Sequence, residues 1–259
     1  MSFAPQFRET RWTQVRRAKL DSPEGQRALS ELCAAYHEPV TAFLRRTLPA
    51  PDPDAALELS HAFFARLMAG GAIAHASEDQ GRFRSYLLGA LKHFVARQRE
   101  AEGRLKRGAA IEHLSTDASP NGRPPLALPD PGQLSPDEAY DRQWALTVLR
   151  RAMESLQQEC IHEGRGEFFE EAKPWLTGDA GHGDQKDLAR RSGMNETALK
   201  VAIHRLRRRF RDRLRAEIAA TLEHPEGIES ELQALFAALE RKSMNPGNPS
   251  PVPRQETGA

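Results

Sequence analysis

The chain has 259 residues and a formal net charge of +1, from 37 Lys+Arg against 36 Asp+Glu. That length suggests one large or two smaller domains, and that balance excludes a uniformly basic nucleic-acid binder. Hydrophobic residues make up 39%, or about 45% with glycine counted in and tyrosine left out, which predicts a core split into small modules, and no apolar run approaches the roughly 18 residues of a membrane span.

The opening segment (1–24), MSFAPQFRETRW onward, has no apolar stretch of the kind that marks a secretory signal. Residues 27–48 place Leu29, Leu32, Cys33, Tyr36, Val40, Phe43 and Leu44 at helical spacing, with Pro39 expected to divide or kink the helix. PAPDPD (49–54) is a breaker. The next segment carries a predicted apolar stripe of Leu57, Phe63, Phe64, Leu67 and Met68, stopped by Gly70 and Gly71. Residues 81–107 read as a long helix with Phe83, Leu87, Leu91 and Phe94 or Val95 on one stripe.

Residues 115–138 hold six of the chain's 18 prolines, a composition that predicts a semi-extended linker. It ends in Ser135-Pro136-Asp137-Glu138, a full helix-start signature. The helix predicted after it, about 137–158, carries Trp144, Val148, Ala152 and Leu156 four apart, flanked by Leu149 and Met153. Residues 178–186 read as a polar, Gly-rich loop. A short helix starting at Leu188-Ala189, a turn at Gly193 with Met194 buried after it, and a helix capped by Asn195 follow. That last helix aligns Leu199, Ile203, Leu206, Phe210 and Leu214. Residues 229–240 form a predicted amphipathic helix with Leu232, Leu235, Phe236 and Leu239, before a tail (243–259) with four prolines that reads as disordered. Strand signals are weak, so the fold class is all-α.

The near-zero charge hides two basic blocks. Residues 82–107 hold eight basic and two acidic residues, and residues 187–215 hold ten and three. These blocks are +6 and +7, which leaves −12 for the rest of the chain. Thirty of the basic residues are Arg, which suits phosphate through its planar fork. In 187–215, a short helix, a glycine turn and a basic second helix make a helix-turn-helix that fits the major groove. Glu196, Thr197, Lys200, His204, Arg205 and Arg208 fall opposite its apolar stripe. The competing reading, a hairpin with a solvated charged face, does not account for one sign concentrated at i,i+4 spacing. In 82–107, Arg82, Arg84, Lys92 and Arg97 interleave with Phe83, Tyr86, His93 and Phe94, a pattern suited to unpaired bases, against a solvated face as the plain alternative.

Other motifs carry little. Gly178-x-x-Gly181-x-Gly183 lacks the Lys-Ser/Thr of a phosphate loop. Cys33 and Cys160 lie 127 positions apart, so no disulfide framework or metal knuckle is expected, and Cys160-x-His162 is a lone pair. No catalytic constellation assembles, so the chain is not expected to be an enzyme, and no metal or other cofactor is expected.

Taken together, TRWTQV, ALSELCAAYHEPVTAFLRR, HAFFARLM, GRFRSYLLGALKHFVARQRE, QWALTVLRRAM and GMNETALKVAIHRLRRRFRDRLRAEIAATL, in this order, resemble a bacterial RNA polymerase sigma factor of the extracytoplasmic-function type, over about residues 10–240. The resemblance implies two small helical domains joined by a flexible linker (109–138). The first (25–108, sigma region 2) would melt the minus-ten element through Arg82, Phe83, Arg84, Tyr86, Lys92, His93 and Arg97. Its helix around 54–69 would dock on core polymerase through Glu58, His61 and Phe64. The second (139–222, sigma region 4) would read the minus-thirty-five element through Glu196, Thr197, Lys200, His204, Arg205 and Arg208. The chain departs from the family in having Glu58-Leu59-Ser60-His61 where Asp-x-x-Gln is usual, and Tyr86 where Trp is common. Core RNA polymerase and promoter DNA are the implied partners, with room for an anti-sigma factor. A cytoplasmic chain, monomeric when free and away from membranes, is expected. The alternative is a stand-alone helix-turn-helix regulator of duplex DNA, with the 229–240 helix as its dimer element.

Overall fold

The fold is all-α. The computed structural model describes residues 17–18, 22–48, 52–69, 82–111, 134–177, 184–222 and 225–240, and among these there is no strand. The helices are α1 (Pro23–Thr47), α2 (Pro53–Ala69), α3 (Phe83–Ile111), α4 (Pro136–His162), α5 (Gly166–Ala172), α6 (Pro174–Thr177), α7 (Asp184–Arg191), α8 (Glu196–Ala219) and α9 (Ile228–Glu240), with a 3₁₀ turn at Pro225–Gly227. No described helix is long and apolar enough to cross a membrane. The middle of the Pro-rich segment and the tail from 241 lie outside the described residues.

The helix starts follow local chemistry. Ser22 caps α1 by accepting from the Gly25 N–H at 3.1 Å. Asp52 accepts from the backbone of Asp54 and Ala55 ahead of α2. At α4 the box is complete: Ser135 Oγ accepts from Glu138 N at 3.2 Å, and Glu138 Oε2 accepts from Ser135 N at 2.9 Å. Ser135→Ala is expected to cost about 1 kcal/mol, read as a lower urea midpoint at unchanged slope. Asn195 Oδ1 caps α8 from Ala198 N at 2.7 Å.

Several elements differ from the sequence expectation. α1 runs unbroken through the buried Pro39, because one lost N–H does not outweigh a helix packed along one whole side. On α2, Phe63, Phe64 and Leu67 are buried, whereas Leu57 and Met68 lie outside. On α9, Leu232, Leu235 and Ala238 point inward and Phe236 is 51% exposed. α7 begins at Asp184, inside the expected loop, and Met194 is only partly buried. α5 and α6 have no counterpart in the sequence reading, being too short for periodicity to reveal.

Among the described residues there are two apolar cores. The first gathers Leu32, Tyr36, Val40, Phe43 and Leu44 of α1 with Phe63, Phe64 and Leu67 of α2 and Phe83, Leu87, Leu91 and Phe94 of α3. It also takes Tyr140, Trp144, Ala145, Val148 and Ala152 of α4, Leu214, Ile218 and Leu222 from the end of α8 and beyond, and Leu232, Leu235 and Ala238 of α9. The second core contains Leu156 and Cys160 of α4, Phe169, Ala172, Trp175, Leu188 and Ala189, and Leu199, Ile203 and Leu206 of α8. So α4 and α8 each contribute to both cores, and the first core reaches well past residue 138, where a domain boundary was expected.

α4 and α1 are cross-linked on their polar sides as well. Glu38 accepts from Arg150 at 2.8 Å, Gln143 at 3.0 Å and Thr147 at 3.2 Å. Burial pushes the Glu38 carboxyl up, but these donors outweigh it and hold it below its ordinary value. Cys33 and Cys160 are free thiols, both raised by burial, which leaves little reactive thiolate.

Candidate nucleic-acid interface

The first basic block lies mostly on α3, and its sides have different neighbours. A helix turns about 100° per residue, so residues three, four or seven apart share a side. Phe83, Leu87, Leu91 and Phe94 face the first core, with Phe83 1% exposed. The Phe83 ring meets Tyr36 edge-on at 5.3 Å. Phe83 therefore does not stack a base here: it starts the apolar stripe rather than interleaving with the charges.

A second side holds cations already engaged. Arg84 donates through Nε and Nη2 to both oxygens of Glu231, at 3.0 and 3.3 Å, and through Nη1 to Asp141 at 2.6 Å. Its guanidinium carbon lies 4.4 Å from the centroid of the Trp144 ring. Burial works against the Arg84 charge, and Glu231 and Asp141 more than restore it, so its pKa stands above the ordinary value. Just before α3, Arg82 pairs with Glu231 at 2.5 Å and donates to Ser230 Oγ at 2.8 Å. Lys92 Nζ lies 2.5 Å from Asp137. Three of the seven expected minus-ten contacts thus face carboxylates of α4 and α9.

The third side is open. Tyr86, His93 and Arg97 line a cavity of about 580 Å³ between α3 and α2, walled by Phe63, Leu67 and Phe94 and edged by Arg66 and Ser85. The Tyr86 ring lies roughly parallel to Phe83, centroids 6.2 Å apart, and burial raises its hydroxyl pKa. Gly89 and Ala90 add no bulk to the floor. An aromatic, an imidazole and two guanidiniums around a half-apolar hollow suit a planar ring carrying an anionic linkage. Arg66 and Ser85 escaped the sequence reading, and the only signal for Arg66 was its place one turn after Phe63.

The residues expected to dock on polymerase divide. Glu58 and His61 are exposed on α2, whereas Phe64 is 6% exposed and packs on Phe63 at 5.3 Å. Phe64 is a core residue, because it lies one helical step from Phe63 on the inward stripe. The His61 ring lies 5.8 Å from that of His37, across α1 and α2.

The second basic block sorts its cations by helix face. α7 and α8 are joined through residues 192–195, where Gly193 has φ of 64°, the left-handed conformation that favours glycine. Arg207 is exposed and lies on the same side of α8 as Lys200, but its guanidinium donates to the Trp175 carbonyl at 2.9 and 3.0 Å. Arg209 reaches Glu163 at 2.8 Å and Glu159 at 3.0 Å, and Arg213 reaches Glu159 at 2.9 Å. Arg165 and Arg209 hold the Glu163 carboxyl below its ordinary value.

On the outer side, Glu196, Thr197, Lys200, His204, Arg205 and Arg208 are all exposed. Lys200, Arg205 and Arg208 form no ion pair with any described residue. All six expected minus-thirty-five contacts are therefore solvent-facing. Arg211, one turn beyond Arg208, was missed: it too is exposed, and its Nε donates to the Arg207 carbonyl at 3.4 Å. Among the described residues no group of three or more His, Cys, Asp or Glu could hold a metal ion. No family model, no curated protein and no solved structure matches the chain.

Proposed function

We propose that the chain is a promoter-recognition factor of the sigma type. It binds core RNA polymerase, reads a duplex element with the outer side of α8 and holds an unpaired base in the cavity between α2 and α3. The observation carrying this reading is the sorting of charge on α8. Arg209 and Arg213 pair with Glu159 and Glu163, while Lys200, Arg205 and Arg208 stay exposed and free of described ion pairs. A helix that carries exposed cations without a described carboxylate partner gains from an external polyanion. Asn195 and Gly193 set that helix behind a short turn, the arrangement in which a recognition helix enters the major groove. The cavity supports the second element. Tyr86 offers a stacking platform and Arg97 and Arg66 offer phosphate contacts, and each stacked base contributes about 1–3 kcal/mol. Glu58 and His61 stand outside on α2, where a docking partner can reach them.

Run-off transcription with purified core polymerase across a promoter library tests the proposal. Promoter-specific initiation is expected, and its absence from every template overturns the reading. Within that assay, Tyr86→Ala is expected to leave closed-complex affinity intact and slow opening by about tenfold, the lower part of the stacking range. Equal loss in both steps would remove the melting role. The exposed Phe236 of α9 favours the second reading, a dimeric regulator. That reading requires a concentration-dependent dimer in sedimentation and binding to a palindrome without polymerase.

A further inference from the structure

Glu231 is the most buried charged side chain among the described residues, at 1% exposure, and it meets two cations of the basic block together. Ion pairs this deep add little net stability, because desolvation offsets their attraction. Their geometry is that of an anion held by a fork: both Glu231 oxygens lie against Nε and Nη2 of Arg84, the side-on arrangement an Arg gives a phosphate. Asp141 takes the remaining Nη1 of Arg84, and Asp137 takes Lys92 eight residues further along α3. Three carboxylates thus follow one side of α3 as successive phosphates would. The carrier of Glu231 is held at both ends as well. Glu229 pairs with Arg215 at 2.7 Å, and the Leu239 carbonyl accepts from Arg142 at 2.9 Å.

We propose that α9 is an intramolecular latch that occupies Arg82 and Arg84 in place of a nucleic-acid backbone, and that single-stranded DNA binds fully only when α9 leaves. This rests on the reading of the first basic block as a strand-binding surface. The occupant displaced is α9 itself, and the ligand admitted is a sugar-phosphate backbone at Arg82 and Arg84. A latch of this kind lowers apparent affinity by the fraction of chains that are open. Loosening it raises affinity without adding a contact to DNA.

The experiment uses the full chain and a fluorescein-labelled A/T single strand of about 12 nucleotides, within the usual site size. Glu231→Gln keeps the shape of the side chain and removes its charge. It is expected to bind the strand about tenfold more tightly than the parent by anisotropy. Hydrogen exchange on the unmodified chain gives a second readout that needs no variant: amides of α9 are expected to exchange faster once the strand is bound. Unchanged affinity in Glu231→Gln, together with α9 amides equally protected with and without the strand, overturns the latch and leaves the strand-binding reading standing. If neither protein binds the strand at any concentration, the strand-binding reading falls, and the latch with it.

Discussion

Trp144→Ala is expected to lower the unfolding free energy by about 3–5 kcal/mol. The indole is 2% exposed and lies in the core shared by α1, α2, α3, α4, α8 and α9. Removing it leaves a cavity in a place bounded by several helices, where collapse is least able to fill the space. It also removes the face beneath the Arg84 guanidinium, a contact worth about 0.5–2 kcal/mol when partly desolvated. Urea unfolding followed by far-UV circular dichroism measures the loss. Leu57→Ala, on the exposed side of α2, is the control and is expected to stay within about 0.5 kcal/mol. A loss below about 1 kcal/mol at Trp144 would show that α4 is not seated in that core.

The largest functional effect is expected from Lys200→Ala combined with Arg205→Ala. Each contact contributes about 1–3 kcal/mol if made to a base, and about one unit of salt slope if made to a phosphate. Together they are expected to weaken duplex binding by about a hundredfold or more at low salt. Both side chains are exposed, so the melting behaviour should be unchanged within about 0.5 kcal/mol. Filter binding at several salt concentrations distinguishes the two kinds of contact, since a phosphate contact flattens the slope and a base contact relaxes one position. Arg209→Ala is the contrasting variant. It removes the cation shared by Glu159 and Glu163, so it should act on stability rather than on DNA. If Arg209→Ala weakened DNA binding as much as the pair, the assignment of α8 faces would be wrong.

What the sequence made legible was local. The Ser135 box, the Asn195 cap and the stripes on α4 and α8 need only a few neighbouring residues, and they stand in the structure as expected. Pro39 does not divide α1, because one lost N–H weighs little in a helix packed along one side. Phe83 and Phe64 already stand on the apolar stripes of their helices; the contacts assigned to them rest on the interleaved charges and on the resemblance, and their burial places both in the core. The partners of Arg82, Arg84 and Lys92 could not be read at all, because they lie between 45 and 148 positions away along the chain. Glu231 looked like one more acid in a short amphipathic helix until its neighbours in space were known.

The sharing of α4 and α8 between both cores has a consequence for biosynthesis. Residues 22–111 leave the ribosome with the apolar stripes of α1, α2 and α3, but Tyr140, Trp144, Ile218 and Leu235, which complete that core, are made later. At the usual pace of about 5–20 residues per second, those stripes wait on the order of ten seconds for their cover. The nascent chain is therefore most prone to capture by chaperones, or to sticking to its own copies, in the interval before α9 is made.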